Sequence, residues 1–327
     1  MHTPLPAHKV FAAMNRLGAA GTPFFFLLDF SLTSGMALPL SEIDDAEIRY
    51  MLPGKTNASR PPADPPPFFL KKDPPSFADY RLKFDRVRAA IQAGDTYLLN
   101  LTAETPVETN YTLEELFRYG KAKYKLWLRD RFVHFSPEPF VKIRDGRIFS
   151  CPMKGTIDAG QPDAMEKILA DPKEEAEQYI IVDLIRNDLS RVAREVRVED
   201  FRYVERVQTH RQELLQVSSR IGGRLMESYA RAFGDLFAAL LPAGSVSGAP
   251  KPRTLELIRS IEGYDRGFYT GVWGIYDGAG LDSCVIIRYL EQTPAGLVFR
   301  SGGGITSGSV AEKEFLELTD KIYVPVY

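Results

Sequence analysis

The 327-residue sequence contains little cysteine and no excess of charge of one sign. Its two cysteines, Cys151 and Cys284, lack the spacing of a disulfide framework or a zinc site, so a reducing compartment is expected. The 41 lysines and arginines nearly balance the 43 aspartates and glutamates. This balance argues against a nucleic-acid-binding protein, which would carry a basic surface.

Long hydrophobic runs are also missing. The most apolar window, PFFFLLDF at residues 23–30, is far too short to span a bilayer. The first 18 residues lack the continuous apolar core of a secretory signal. The sequence therefore predicts a cytoplasmic protein that does not bind membranes.

Proline is concentrated in one segment, residues 59–75, where five of the nine residues 59–67 are proline. Such a segment can form neither a helix nor a sheet ladder, which predicts an extended connector. The connector would end a short N-terminal segment, residues 1–75, which contributes strands, and the main domain would follow at residues 76–327. One strand is expected in the first segment, at Phe24 to Asp29.

The rest of the chain alternates between runs of strands and long helices. A helix capped by Ser76 is predicted up to Gly94, and others at about 172–192 and 224–241. Strands FVKI and RIFSC flank Asp145-Gly146, which is typical of a two-residue hairpin turn. Three further strands are predicted in FYTGVWGIY, DSCVIIRYL and LVFRSGGG. Strands in hairpin runs predict an antiparallel α+β fold.

The stretch CPMKGT places Lys154 between a proline and a Gly-Thr pair. The order K-G-T differs from the G-K-[ST] of a phosphate-binding loop. Counting outward from the hairpin turn sets Glu138 opposite Met153, one residue from this lysine. An amine beside a carboxyl group suits a nucleophile and an acid, and a surface ion pair is the alternative.

Two helices carry acidic residues three positions apart: Glu174 with Glu177, and Glu314 with Glu317. Four converging carboxylates would repel one another unless a hard divalent cation neutralised them, and Mg²⁺ prefers oxygen ligands. Taken alone, either pair is also compatible with a solvated helix face.

Arg288 lies in an apolar strand, on the face of Cys284 and Ile286, where an unpaired charge is costly. It pairs with a structural carboxylate or with a ligand carboxylate. Two glycine-rich stretches, SGGG at 301–304 and AGSVSGAPKPR at 243–253, could offer backbone N–H groups to an anion or be plain loops.

The joint order of these blocks resembles the chorismate-utilising enzymes. The resemblance covers about residues 76–327 and rests on these blocks: GDTYLLNL, FSPEPFVKI, CPMKGT, EEAEQYIIVDLIRNDLSRV, LPAGSVSGAPKPRTLELI, FYTGVWG, SCVIIR and SGGGITSGSVAEKEFLELTDK. It implies an α+β fold of two large antiparallel β-sheets packed face to face, with helices on the outside. It also implies chorismate as the substrate.

The resemblance implies a role for each matching residue. Glu138 would be the general acid. Four carboxylates would hold Mg²⁺: Glu177 and Glu317 directly, Glu174 and Glu314 through water. The substrate would be bound by Tyr269, Arg288, Gly302, Gly303, Gly304, Ser247 and Lys321.

Within the family, Pro152-Met153-Lys154-Gly155-Thr156 resembles the P-I-K-G-T of the members that aminate chorismate at C4, the aminodeoxychorismate synthases. The others usually carry alanine in place of this lysine. Members that hydrate chorismate also carry a lysine in the strand matching TYLLNL, and this chain has none there.

The resemblance thus implies a nucleophilic Lys154 and ammonia from a glutamine amidotransferase subunit. It departs from the family at Ala159, where arginine is common, and leaves His210 without a role. Anthranilate synthase component I, isochorismate or salicylate synthase, and a partner-binding homologue without turnover are the alternatives.

Overall fold

The computed structural model describes residues 3–59, 65–208 and 213–326. These residues form eight α-helices: α1 (Ala7–Ala19), α2 (Phe77–Gln92), α3 (Leu113–Tyr119), α4 (Ala164–Ala170), α5 (Pro172–Ser190), α6 (Phe233–Leu240), α7 (Lys251–Glu262) and α8 (Ala311–Asp320). The prediction for α2 is confirmed, since the Ser76 hydroxyl accepts a hydrogen bond from the Asp79 backbone N–H at 3.1 Å. Within the described parts of the chain, none of the helices is both long and apolar enough to span a bilayer.

The same residues form nineteen strands: β1 (Leu5–Pro6), β2 (Phe24–Leu28), β3 (Ser34–Pro39), β4 (Ile48–Leu52), β5 (Lys55–Thr56), β6 (Leu70–Lys72), β7 (Leu98–Thr109), β8 (Tyr124–Leu128), β9 (Phe132–Ser136), β10 (Pro139–Arg144), β11 (Arg147–Ser150), β12 (Met153–Asp158), β13 (Ala193–Gln208), β14 (Glu213–Leu225), β15 (Gly248–Ala249), β16 (Val272–Tyr276), β17 (Leu281–Val285), β18 (Tyr289–Thr293) and β19 (Gly296–Ile305). Sheet A has the order β1-β3-β2-β16-β17-β10-β11-β14-β12, with β13 also on β14. Sheet B has the order β15-β7-β19-β18-β9-β8-β4-β5, with β6 on β7.

The two sheets pack face to face, and all of their pairings are antiparallel. The core between them joins Phe25 and Trp273 of sheet A to Leu126 and Tyr289 of sheet B. Helices α1, α5 and α6 cover the outer face of sheet A, and α2, α7 and α8 cover that of sheet B. The predicted α+β fold of two antiparallel sheets with outer helices is confirmed.

Residues 3–59 supply strands to both sheets, because β2 pairs with β16 and β4 pairs with β8. The strand predicted at Phe24 is confirmed as β2. The expectation that the proline-rich connector forms no ladder is wrong in its described part, since β6 pairs with β7, Leu70 opposite Thr109. The three residues of β6 contain no proline and keep their backbone N–H groups. The domain boundary after residue 75 stays a prediction.

The hairpin of β10 and β11 is confirmed. Arg144 pairs with Arg147, and Asp145 and Gly146 have φ values of 51° and 70°, as a type I′ turn requires. The predicted pairing of Glu138 with Met153 is wrong, because Met153 pairs with Ser218. After β11 the chain continues along the same edge of β14 instead of lying across from β10.

Two other predicted elements differ from the structure. The helix expected at about 224–241 begins only at Phe233, because β14 continues to Leu225. The strand expected through DSCVIIRYL is interrupted, because β17 ends at Val285 in sheet A and β18 begins at Tyr289 in sheet B. Arg288 lies at this crossover with φ of 50°, and so it does not share a strand face with Cys284. The helix predicted at about 172–192 is confirmed as α5.

Candidate active site

The glycine-rich end of β19 leaves one of its edges without a neighbouring strand among the described residues. Gly302, Gly303 and Gly304 pair with β7 on one side, but β18 accompanies β19 only as far as Arg300. Their other edge therefore offers backbone groups to a ligand, and the Lys321 ammonium already donates to the Gly302 carbonyl at 3.0 Å.

Two acidic residues of α8, Glu314 and Glu317, face this strand. A methyl group at Gly303 would lie 3.7 Å from Oε2 of Glu314, 4.0 Å from Oε1 of Glu317 and 4.0 Å from Nζ of Lys321. Lys321 lies 2.8 Å from Oε1 of Glu317. The structure thus brings together five of the residues that the sequence analysis singled out, with Glu314 only 3% exposed.

Ser247 lies beside the same strand end. Its carbonyl accepts a hydrogen bond from the Asn100 backbone N–H at 2.9 Å, and Asn100 pairs with Gly304. The Ser247 hydroxyl donates to the Ala243 carbonyl at 2.8 Å. The backbone at Ser247, and not its hydroxyl, therefore provides the link to the strand beside the glycine-rich edge.

Arg288 presents an unusual arginine environment. Its Nε is buried and has no hydrogen-bond partner among the described residues. Its guanidinium lies 5.1 Å from the ring centroid of Tyr323, a residue that the sequence analysis missed. Tyr269 is buried, which raises the pKa of its hydroxyl, and the nearby Arg266, Arg300 and Arg288 oppose that rise.

Glu138 lies at a cavity between sheet A and its outer helices. The Glu138 carbonyl accepts from the Val285 backbone N–H at 3.3 Å, just before the crossover that carries Arg288. The cavity is also lined by Pro152, Asp188 and Ser245.

Beside the cavity, Lys251 binds both oxygens of Asp188, at 2.8 and 2.9 Å. Burial raises the pKa of Asp188 and lowers that of Lys251. Neither residue was singled out, although both lie in the RNDL and GAPK stretches that carried the resemblance.

Lys154 belongs to β12, and its side chain lies outside the described part of the structure. Its neighbour Gly155 has φ of +77°, and a methyl group there would lie 3.4 Å from Oε2 of Glu174. The first acidic residue of α5 therefore lies over the backbone next to the lysine. Glu177 follows on the same helix, beside Gln178, whose buried amide donates to Ser219 at 2.7 Å.

The donor chemistry of the four glutamates fits Mg²⁺, since every ligand atom that they offer is a carboxylate oxygen. Among the described side chains, no three from histidine, cysteine, aspartate and glutamate form a group that could hold a metal ion. A cation held by Glu177 and Glu317 together would therefore require their side chains to converge. His210 lies outside the described residues.

Residues 35–326 match the family of chorismate binding enzymes, and the chain belongs to that family. It is 47% identical over 320 residues to an uncharacterised PabA-like protein of Pasteurella multocida, covering 98% of this chain and 99% of that protein. It is 32% identical to aminodeoxychorismate synthase component 1 of Klebsiella aerogenes, over 75% of this chain and 56% of that protein. Anthranilate synthase component 1 of Acetivibrio thermocellus is also 32% identical, over 72% of this chain and 50% of that protein.

Among solved structures, the menaquinone-specific isochorismate synthase of Escherichia coli has the same fold. The TM-score is 0.65 at 16% identity, covering 97% of this chain and 91% of that one.

Proposed function

We propose that this chain aminates chorismate at C4 and releases 4-amino-4-deoxychorismate, a precursor of para-aminobenzoate and folate. The observation that carries the proposal is Lys154 in the P-M-K-G-T stretch, on β12 directly before Gly155, over which the Glu174 carboxylate lies. The similarity to an aminodeoxychorismate synthase component supports it.

The substrate carboxylates would be bound by the sheet B side of the site. The Arg288 guanidinium retains an unused buried donor, Nε, and a guanidinium can bind a carboxylate through two parallel hydrogen bonds. The unpaired edge of Gly302–Gly304 would add backbone N–H groups, and Tyr269, Ser247 and Lys321 would border the ring.

Mg²⁺ would be held directly by Glu177 and Glu317, with Glu174 and Glu314 hydrogen-bonded to its waters. When bound, the cation would neutralise a substrate carboxylate and draw electron density from the ring.

The reaction would use two side chains on the sheet A side of the site. The neutral amine of Lys154 attacks C2, the ring double bond shifts, and the C4 hydroxyl leaves as water with a proton from Glu138. Ammonia then bonds to C4, the shift reverses, and the bond between C2 and the lysine nitrogen breaks. The Glu138 carboxylate takes up the proton that the new amine loses.

For this step Lys154 must be neutral near pH 7. Lowering a lysine pKa from about 10.4 to about 7 requires roughly 4–5 kcal/mol of differential interaction, which burial and nearby cations can supply.

The ammonia would come from a glutamine amidotransferase subunit, and the names of the PabA-like relatives are consistent with such a pairing. A cytoplasmic location, where free cysteines such as Cys151 and Cys284 are stable, belongs to the same proposal.

The proposal is tested by incubating the purified protein with chorismate, Mg²⁺ and ammonium, and identifying the product by mass. The Lys154→Ala variant should lose about 10³-fold or more in rate. Lys142→Ala, the same change on the neighbouring hairpin at a lysine paired with Asp282, is the control and should retain activity. A Lys154→Ala variant that still aminates C4 at the wild-type rate would refute the covalent role.

Anthranilate synthase component I is the second candidate, because a relative of that name is equally similar. The same experiment separates the two, since that enzyme would release pyruvate and an aromatic amine. A protein that binds chorismate or its partner without any turnover would point to a non-catalytic homologue.

A further inference from the structure

A fully buried ion pair, Glu262 with Arg266, lies beneath the substrate-binding elements of sheet B. Arg266 donates from Nε to Oε2 of Glu262 at 2.8 Å and from Nη2 to Oε1 at 2.6 Å. The two side chains are 0% and 1% exposed. Neither side chain has a role in the chemistry proposed above.

The guanidinium also holds two separate backbone segments. Nη1 donates to the Val246 carbonyl at 2.8 Å, and Nη2 donates to the Asn100 carbonyl at 2.6 Å. Val246 directly precedes Ser247, and Asn100 pairs with Gly304. The Arg266 guanidinium is therefore hydrogen-bonded both to the Ser247 loop and to β7, the strand that pairs with the glycine-rich segment of β19.

The carboxylate completes the connection. Oε1 of Glu262 accepts from the Thr102 backbone N–H at 2.9 Å and from the Thr102 hydroxyl at 2.8 Å. Thr102 pairs with Gly302, and its hydroxyl also contacts the Tyr264 hydroxyl. Both ends of the Gly302–Gly304 segment are thus linked, through β7, to the same buried pair.

We propose that Glu262, Arg266 and Thr102 are positioning residues that fix the spacing between the Ser247 loop and the Gly302–Gly304 edge, and thereby the affinity for the substrate carboxylate. The inference rests on the proposed function for the identity of the substrate, chorismate. A charged pair is a costly way to stabilise a core, since apolar residues of similar size are often as stabilising. A planar guanidinium does, however, set the directions of several hydrogen bonds at once, which an apolar pair cannot do.

The chain offers a matched pair of variants for the test. Thr102→Val removes a hydroxyl bonded to Glu262, whereas Thr105→Val removes one on the same strand whose buried Oγ1 has no partner among the described residues. Both changes preserve the side-chain shape and leave the ion pair in place. The dissociation constant for chorismate is measured by calorimetry with Mg²⁺ and without ammonium, next to KM, kcat and the melting temperature.

Thr102→Val should weaken chorismate binding about three- to tenfold, because it removes the buried hydroxyl that bonds to both Glu262 and Tyr264, with kcat changed less than KM. Thr105→Val should bind like the wild type, and Thr102→Ser, which restores the hydroxyl, should recover most of the affinity. Equal effects of Thr102→Val and Thr105→Val, or no effect of either, would overturn the proposal. The binding measurement needs no turnover, so it separates this inference from the proposed function. A wild-type protein that binds chorismate but forms another product would refute the proposed function. The comparison of the threonine variants would still decide this inference.

Discussion

On the sheet B side of the candidate site, Gly302–Gly304 belong to one uninterrupted ladder of nine registered pairs between β19 and β7. On the sheet A side, the pairing of β12 with β14 shifts register between Met153 and Thr156, at the position of Lys154. The regular side carries the groups proposed to bind the substrate, which need a fixed spacing. The interrupted side, that of sheet A, carries the groups proposed to react. In a regular strand the alternation of side chains would hold such groups on fixed faces of the sheet.

The ion pairs next to the two sides also differ, in how much of each side chain is exposed to solvent. Glu262 and Arg266 are bonded to the strands of the ladder and are 0% and 1% exposed. Asp188 and Lys251 join α5 to α7 next to the cavity at Glu138 and are 15% and 12% exposed. The ion pair on the sheet B side is therefore the more completely buried of the two. Burial strengthens its hydrogen bonds and makes the loss of any one of them more costly.

The largest effect is expected where the two sides would meet, at the proposed ligands of Mg²⁺. Glu177→Gln on α5 and Glu317→Gln on α8 should each lower kcat/KM about 100-fold or more, because each removes a charge that the cation requires. If one cation joins the two sides, the double variant should be little worse than the poorer single variant, since ligands of one ion act as a unit. The measurement is kcat/KM as a function of Mg²⁺ concentration.

Two neighbouring glutamates serve as controls for this prediction. Glu175 pairs with Arg202 at 3.4 Å, and Glu312 pairs with Arg81 at 3.2 Å. Their glutamine variants should keep the wild-type dependence on Mg²⁺. Losses at Glu177 and Glu317 that multiply in the double variant would mean that the two sides act separately.

The space above the glycine-rich edge gives the second prediction. A Cβ at Gly303 makes only ordinary contacts of 3.7–4.0 Å, with Glu314, Glu317 and Lys321, so Gly303→Ala should fold with unchanged stability. Its methyl group would occupy the space proposed for a substrate carboxylate, and KM for chorismate should rise about tenfold. Steady-state kinetics and urea unfolding test the two expectations.

Gly302→Ala should show the opposite pattern. Its Cβ would lie 2.6 Å from Cγ2 of Thr102 and 2.7 Å from the Leu101 carbonyl oxygen, so the ladder itself must shift. The free energy of unfolding should fall by about 1–3 kcal/mol. A Gly303→Ala variant with wild-type KM would show that no substrate group approaches this edge.

Local patterns in the sequence predicted the elements that depend on short-range chemistry better than those that depend on distant partners. The capped helix α2 and the Asp145-Gly146 turn follow from short-range chemistry, and both were predicted correctly. The pairing of Met153 was not, because it depends on β14, which lies more than sixty residues further along the chain.

Long-range packing also explains the other errors. Arg288 appeared to continue an apolar strand, since no local signal marks the crossover between two sheets that are both buried. One partner of Glu262, Thr102, lies 160 positions away, beyond the range of any periodicity. Order along the chain, compared with a family, supplied the candidate site residues, whereas their contacts required the fold.

The smallest effect is expected away from the site, where Lys55 of β5 contacts Asp277 in the turn between β16 and β17 and so links the two sheets. Burial would raise the pKa of Asp277, but hydrogen bonds from Lys55 and from the Gly280 and Ala279 N–H groups lower it to about 2. Because the folded pKa is lower than the ordinary 3.8, the ionised carboxylate stabilises the fold above that value, and this stabilisation disappears as the pH falls through about 2.

Asp277→Asn keeps an oxygen for the two backbone donors and removes the charge, so the free energy of unfolding at pH 7 should fall by about 1 kcal/mol. This is less than the full pKa shift implies, because both side chains are partly exposed. Urea unfolding at pH 7 and at pH 2 should show the difference from the wild type shrinking with acidity, while KM for chorismate stays unchanged. A changed KM would mean that this distant contact, and not only the site, sets the spacing of the sheets around the substrate.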